Sequence, residues 1–534
     1  MSTRRVPQNV SWFRALVASP WRVLCLASAV FFLSAVQKFY DPTTGFSSLI
    51  SIGDQLGEHK VSQLKRVPHY IYENSAGYDG AYYVQLALNP TLDNPELKTS
   101  IDNLPYRAKR ILFCWAAWVM GLGKAAWVVQ AHALINVLCW LALGWVLLRW
   151  FPPTDAENFF RWAAVMFSHG VCMSVRHSLV DGPSLLLVAL AMRWVEMGHR
   201  ARGGAVLALA GLGKETSLLA VAGVADFNWK APKTWWRAGV MAGLVAVPLF
   251  AWMGYIKWKF GAAEDPGMGN FTLPLAGLAE KWGDAFANLA VRGDSTVRWA
   301  TLGVVCALTV QWMFFALRWR PAEAWWRIGA AFAGMMVFLS TPVWEGFPGA
   351  STRVLLPMTL AFNILVPRGR KWLPVLIAGN LTVLASYREF SPPAREFFQL
   401  AGEREVVGAV RVEVGGGWYG PESFKDETWR WSSGKSELRL RNASGGPLAT
   451  VVRGRVAALD ARSLRIFLGD AMVWSGEIGE KQVPFKFGCT VPDGGAVWRF
   501  VADKPGRKVG TDPRMLSFNI FDLEVVVQPA DGQR

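Results

Sequence analysis

The run from Ala125 to Trp150, AAWVVQAHALINVLCWLALGWVLLRW, contains no acidic residue and only one strong base, Arg149. As a helix it is long enough to cross the ~30 Å hydrocarbon core of a bilayer. Upstream, Ser19–Tyr40 has the same character. Further apolar segments lie near 159–175, 183–198, 203–213, 215–227, 238–258, 298–317, 325–343, 352–366 and 371–387. Together these predict a polytopic α-helical membrane protein with about eleven crossings. A composition of 52% hydrophobic residues with 28 Trp fits that class and not an ordinary soluble enzyme.

The formal net charge is +16, and its distribution excludes nucleic-acid binding. Residues 1–389 carry 36 Lys+Arg against 22 Asp+Glu, whereas 390–534 carry 20 against 18. The excess is concentrated in short connections: Arg4, Arg5, Arg14 and Arg22; Arg193, Arg200 and Arg202; Lys230, Lys233 and Arg237; Arg318, Arg320 and Arg327; Arg368, Arg370 and Lys371. These alternate with acid-balanced loops, as expected when basic loops stay in the cytoplasm. That rule places the N-terminus inside, the loop 41–110 outside and, with eleven crossings, the C-terminal tail outside. Ser19–Tyr40 has no small-x-small cleavage site before Lys38, so it reads as a retained helix and not a signal peptide. Cys25, Cys114, Cys139, Cys172 and Cys306 sit in apolar stretches and Cys489 is isolated in the tail, so neither a disulfide framework nor a metal spacing is implied.

Three regions follow: a membrane part over 1–390, a link over 391–402 and a tail over 403–534. The boundary falls at Ser391-Pro392-Pro393, followed by a short helix expected over Ala394–Gly402. The tail alternates apolar and polar residues in short runs: Val406–Val414, Ser436–Asn442, Leu448–Ala457, Ser463–Leu468, Ala471–Ile478, Gln482–Phe487, Ala496–Ala502 and Met515–Val527. Runs of this length and spacing predict an all-β sandwich. In the first loop, Ile111–Leu122 is apolar but short, and a turn is expected at Gly121-Leu122-Gly123 before the crossing from Ala125.

The loop also carries Gly77-Tyr78-Asp79-Gly80-Ala81-Tyr82-Tyr83. Two readings of Asp79 stand on residue type alone. It could be a reactive carboxylate among aromatics, or it could N-cap a helix running to about Leu88, since Asp caps helices well. That helix reads as suited to a membrane interface. Charges recur at the outer ends of helices: Arg176, His177 and Asp181; Lys214 and Glu215; Glu345 and Arg353; and Arg107, Lys109 and Arg110 closing the first loop. Ionisable groups at such depth are costly and face a cavity or one another. A shared outward cavity is one reading; local pairs, Lys214 with Glu215 and Arg353 with Glu345, are the other.

Gly77 to Tyr83, followed by Gln85-Leu86-Ala87-Leu88-Asn89-Pro90, resembles the first-loop motif of bacterial polytopic glycosyltransferases of the C superfamily. Tyr106-Arg107-Ala108-Lys109-Arg110-Ile111-Leu112 is similar to the Tyr-Arg-x-x-Arg-Ile-Leu run that follows it there. Leu212-Gly213-Lys214-Glu215-Thr216 resembles a Leu-Thr-Lys-Glu-Thr segment, with Gly213 departing from Thr, and Arg353-Val354-Leu355-Leu356-Pro357 resembles Arg-x-Leu-Leu-Pro. The tail is similar to β-sandwich domains appended to bacterial envelope transferases, through Gly417–Glu422, Trp429–Gly434 and Gly510-Thr511-Asp512-Pro513-Arg514. Core packing is expected for at least two of Trp418, Trp429 and Trp431, with sugar stacking the alternative.

The resemblance implies inverting transfer of a sugar from a polyprenyl-phosphate carrier to an envelope glycan, lipid or protein acceptor on the outer face of the inner membrane. Asp79 would be the general base. Arg107, Arg110, Arg176, Lys214 and Arg353 would meet the leaving phosphate. Tyr78, Tyr82, Asp181, Glu215 and Glu345 would line the substrate pocket, with membrane lipids as surroundings and no metal or cofactor required. A flippase of lipid-linked glycans would predict internal repeats, which the sequence lacks, and a membrane-anchored glycan-binding protein would not need eleven crossings.

Overall fold

The computed structural model describes residues 19–391 and 405–527, apart from 42–43, 57–58, 73–74, 226–230, 262–265, 290–294, 347, 408–409, 425–426, 443–445 and 511. Arg4, Arg5, Arg14, Lys230, Thr511, the end of the segment 215–227 and the helix expected over Ala394–Gly402 lie outside the described residues. The chain divides into two compact units that do not follow chain order. One holds the segment up to Lys38, Asn103–Ala116 and Leu134–Ser391; the other holds Phe39–Asp102, Ala117–Ala133 and Pro392–Arg534.

The first unit is helical. Among the described residues, four helices of the chain have the length and apolar composition of an unbroken crossing: Pro20–Gln37, Ala125–Leu147, Lys233–Phe260 and Thr296–Leu317. The other apolar segments are short or interrupted. The segment 159–175 is split into Ala156–Met166 and His169–Arg176, and 325–343 into Ala324–Val337 and Thr341–Trp344. Likewise, 352–366 is split into Ser351–Val354 and Leu356–Leu365, and 371–387 into Leu373–Ala378 and the 3₁₀ stretch Leu381–Phe390. Three of the restarts have proline in the first turn, Pro342, Pro357 and Pro374. Proline tolerates a helix start because the N–H it lacks would be unpaired there, and it disfavours continuation of the preceding helix. Hydropathy alone does not register these breaks: several of the expected crossings are pairs of shorter helices.

Buried amides tie the broken pieces together. Gln311 donates from Nε2 to the Gly379 carbonyl at 2.7 Å and accepts from Thr359 Oγ1 at 3.0 Å. Asn363 and Asn380 exchange two side-chain hydrogen bonds of 2.9 Å. In an apolar surrounding such pairs fix which helices meet, because either amide left alone would be unsatisfied.

In the second unit, Phe39–Asp102 wraps its own motif helix. The Ser51 carbonyl accepts from Tyr78 N–H at 2.9 Å, and Gly53 bridges Tyr72. Gly77 has φ of +77°, and a Cβ there would lie 2.8 Å from Ser51 O and from Gly53 N. Only glycine fits both the left-handed backbone and that approach. The motif helix is Asp79–Leu88, with Gly80, Ala81 and Tyr83 to Ala87 buried. Gln85 is fully buried; its Oε1 accepts from Val61 N–H at 2.9 Å and its Nε2 donates to Ala81 O at 3.1 Å. The apolar side chains of this helix from Val84 to Ala87 are therefore covered by protein. His69 is buried in the same loop, and burial, with Lys60 nearby, pushes its imidazole down to about 3. The turn expected at Gly121-Leu122-Gly123 is present, with positive φ at Leu122 and Gly123.

The tail is a two-sheet β-sandwich. Its strands are β1 Glu405–Val407, β2 Val410–Val414, β3 Trp418–Phe424, β4 Glu427–Ser432, β5 Lys435–Asn442, β6 Leu448–Ala458, β7 Arg462–Leu468, β8 Ala471–Ile478, β9 Val483–Val491, β10 Ala496–Ala502 and β11 Phe518–Val527. One sheet runs β1-β2-β5-β10-β7-β8 and the other β3-β4-β11-β6-β9, with every pairing antiparallel. Residues of both sheets, among them Leu438, Trp498, Phe500, Phe518 and Ile520, form one buried core. The single run expected over Val406–Val414 is two paired strands, β1 and β2, and β3 and β4 are not among the runs read from the sequence. β3 contains Gly420 and Pro421, which argue against a strand except at a sheet edge, and β3 lies at an edge.

A closed core of this kind predicts that residues 403–534 fold alone as a soluble domain. Expressed separately, they should give a β-type circular dichroism spectrum and a cooperative melt. An insoluble or helical product would contradict the boundary.

Candidate functional site

Tyr78, with φ −139° and ψ 174°, is the N-cap of the motif helix, and Asp79 is its first residue. The capping reading of Asp79 is thereby corrected: the extended residue that precedes the helix is the tyrosine. A first-turn carboxylate is still favoured by the helix dipole. Tyr78, Asp79 and Tyr82 are the half-buried positions at this end of the helix, while Gly80, Ala81 and Tyr83 are buried. This places a carboxylate and two phenols on the accessible side of an otherwise covered helix.

A second constellation lies wholly within the helical unit. Arg110 grips Glu215 with two hydrogen bonds, Nε to Oε2 at 2.9 Å and Nη2 to Oε1 at 2.6 Å, and its Nη2 also donates to Tyr106 Oη at 3.0 Å. Lys214 donates to Asp181 Oδ1, and Arg353 donates to Asp181 Oδ2 at 3.3 Å. Asp181 is 3% exposed and Lys214 7% exposed, so their charges are compensated by each other and by Arg353 and not by water. The local pairs considered from sequence are not the ones formed: Lys214 takes Asp181 and not Glu215, and Arg353 takes Asp181 and not Glu345. Glu345 is the C-cap of Thr341–Trp344, next to Gly346, whose carbonyl accepts from Lys281 at 2.7 Å.

The chain breaks helix to make this cluster. Lys214 has extended backbone, φ −157° and ψ 120°, between Arg200–Gly213 and the 3₁₀ turn Glu215–Ala220. That kink sends Lys214 and Glu215 to different partners. Among the described residues, the three cations Arg110, Lys214 and Arg353 pair with the two carboxylates Asp181 and Glu215. A cavity of about 10 Å³ borders Asp181, Lys214 and Arg353, room for about one water. Arg107 lies 5.6 Å from the Tyr106 ring, and Arg176 ends the helix His169–Arg176, half-buried.

Sequence reading missed Glu389. Its carboxylate is 3.3 Å from His169 Nε2 and 3.6 Å from His177 Nε2, and His169 Nδ1 meets Thr352 Oγ1 at 2.8 Å. Thr352 precedes Arg353, so this buried chain abuts the cation cluster through one peptide unit. Nothing local in Tyr387-Arg388-Glu389 signals it.

In the tail, Trp418 packs against Phe500 and Phe518 and donates to Glu437 O at 3.0 Å, so it is a core residue. Trp429 lies against Phe521, and Trp431 is half-buried. The motif stretches meet each other: Arg514 donates to Glu422 at 2.5 Å and to Asp512 at 2.7 Å, and packs over Tyr419. The Arg514 guanidinium holds the Asp512 carboxyl down at about 2. These residues lock a loop onto β3.

The sequence matches no protein-family model and no curated protein. Among solved structures, the chain is similar to the arabinosyltransferase EmbB of Mycobacterium smegmatis at 11% identity and a TM-score of 0.34, over 99% of this chain and 66% of that one. It is also similar to a point mutant of a family 29 carbohydrate-binding module, at 10% identity and a TM-score of 0.18, over 25% of this chain and 89% of that one.

Proposed function

We propose that this chain is an inner-membrane glycosyltransferase that moves a sugar from a polyprenyl-phosphate carrier to an envelope acceptor on the outer face, with inversion. The observation that carries this reading is the motif Gly77–Tyr83, whose carboxylate sits at the start of a covered helix with Tyr78 and Tyr82 beside it. In the reaction the acceptor oxygen attacks the anomeric carbon, and its proton passes to Asp79. The bond from that carbon to the phosphate oxygen breaks, and the carrier phosphate leaves with the electron pair. General-base help contributes roughly 10²–10⁴-fold. Arg110, Lys214 and Arg353 are assigned to the developing phosphate charge, with Arg107 and Arg176 as further cations. Because these cations already hold Asp181 and Glu215, a phosphate would bind by sharing them with the two carboxylates.

Lys214→Ala leaves Asp181 paired with Arg353, so expression should stay near normal. Its transfer rate is expected to fall at least about tenfold, the loss of one charge-stabilising donor. The same holds for Arg353→Ala, which leaves Lys214 on Asp181. Rates of carrier-phosphate release by purified variants check this; two well-expressed variants working at the wild-type rate would remove the phosphate role.

A further inference from the structure

A groove of about 580 Å³ lies far in sequence from the motif, between the first turn of Pro20–Gln37, the first two turns of Ala156–Met166 and the start of Leu373–Ala378. Its wall is aromatic and aliphatic: Trp21, Phe159, Phe160, Trp372, Leu373 and Ile377. The wall is built and not incidental, since Trp21 packs on Phe159 at 6.2 Å between ring centroids and Phe159 stacks on Trp162 at 6.3 Å. The volume is that of a small-molecule site and the lining is mostly apolar, as such sites are.

The mouth is cationic. The acid that lines it, Glu157, is already engaged by Arg161 at 2.6 Å, and Asp155, next in sequence to the lining Ala156, pairs with Arg368 at 3.6 Å. Arg370 lines the groove and Lys371 follows it in the exposed connection to Trp372; neither has an ion pair among the described residues. Arg318 lies over the Trp372 ring at 4.3 Å and adds positive charge to the same rim. Trp21 and Trp372 stand at helix ends, the position of aromatic belts at headgroup depth.

We propose that this groove is a binding site for an anionic glycerophospholipid, its acyl chain against the aromatic wall and its phosphate headgroup between Arg370 and Lys371. The proposal rests on the membrane reading above and places the lipid in the leaflet nearer the basic loops, the cytoplasmic one. A neutral amphiphile or an apolar peptide would fill the wall but leave the two cations idle. A soluble phosphate would meet the cations but leave the wall open to water. Basic pockets between helices on the cytoplasmic side recognise anionic lipid headgroups in just this way.

The test is native mass spectrometry of the full-length protein in detergent, given equal amounts of dioleoylphosphatidylglycerol and dioleoylphosphatidylcholine. The wild type should retain phosphatidylglycerol in preference by at least about tenfold, and glycerol 3-phosphate in excess should not displace it. Arg370→Gln with Lys371→Gln, on an exposed connection, should keep the fold and lose the preference. Ala163→Phe, which fills the groove, should lose both lipids. Equal retention by the wild type, unchanged preference in the double variant, or displacement by glycerol 3-phosphate would overturn the site. The readout is independent of sugar transfer. An inactive chain that selects phosphatidylglycerol would count against the transferase alone, and an active chain without selection against the lipid site alone.

Discussion

Replacing Asp79 with Asn is expected to lower sugar transfer by roughly two or more orders of magnitude, the loss of a general base. The fold of the first loop should survive. Asp79 is the first helical residue and not the cap, and the charge–dipole contribution that the substitution removes is about 0.3–1 kcal/mol. Asp79→Glu should be intermediate, because the carboxylate remains but on a longer arm. Reconstituted transfer assays, with the melting temperature of each variant measured beside them, separate the two effects. An active Asp79→Asn protein would end the catalytic reading of the motif and leave the carboxylate as a helix-start residue.

Asp181→Ala should have the largest effect on stability. It strips the common acceptor from Lys214 and Arg353 and leaves two largely buried cations without it. Breaking a buried pair in this way costs about 3–5 kcal/mol, enough to cut the yield of folded protein and the melting temperature in detergent. The asymmetry is diagnostic: Lys214→Ala and Arg353→Ala each leave Asp181 one partner and should be far milder. Asp181→Ala melting with the wild type would mean that these side chains are solvated and not mutually compensated.

What the sequence made legible follows from the range of each signal. Alternation is local, so Ser436–Asn442 and Ala496–Ala502 were read within a residue or two of β5 and β10. Pro421 hid β3, because its edge position is a property of the whole sheet. Apolar length located most helical segments but not their breaks, which depend on Pro342, Pro357 and Pro374. The charged residues of the cluster were identifiable as types, yet their partners were not. Lys214 reaches Asp181 across 33 positions instead of its neighbour Glu215, and Glu389 reaches back more than two hundred positions to His169. Pairing of this kind is set by helix packing, and one sequence carries no local trace of it. The start of the motif helix at Asp79, one residue after Tyr78, was likewise invisible, because the Ser51–Gly53 segment that receives Gly77 is distant in sequence.

The most direct test of the central claim is the fate of the carrier. Full-length protein in proteoliposomes would be given polyprenyl-phosphate-linked hexoses and pentoses with envelope-derived acceptors, and products followed by mass spectrometry and anomeric NMR. One polyprenyl phosphate should be released per sugar transferred, with the anomeric configuration inverted and both products absent with Asp79→Asn. Carrier-linked sugar that crosses the membrane unchanged, or release that persists in Asp79→Asn, would contradict it.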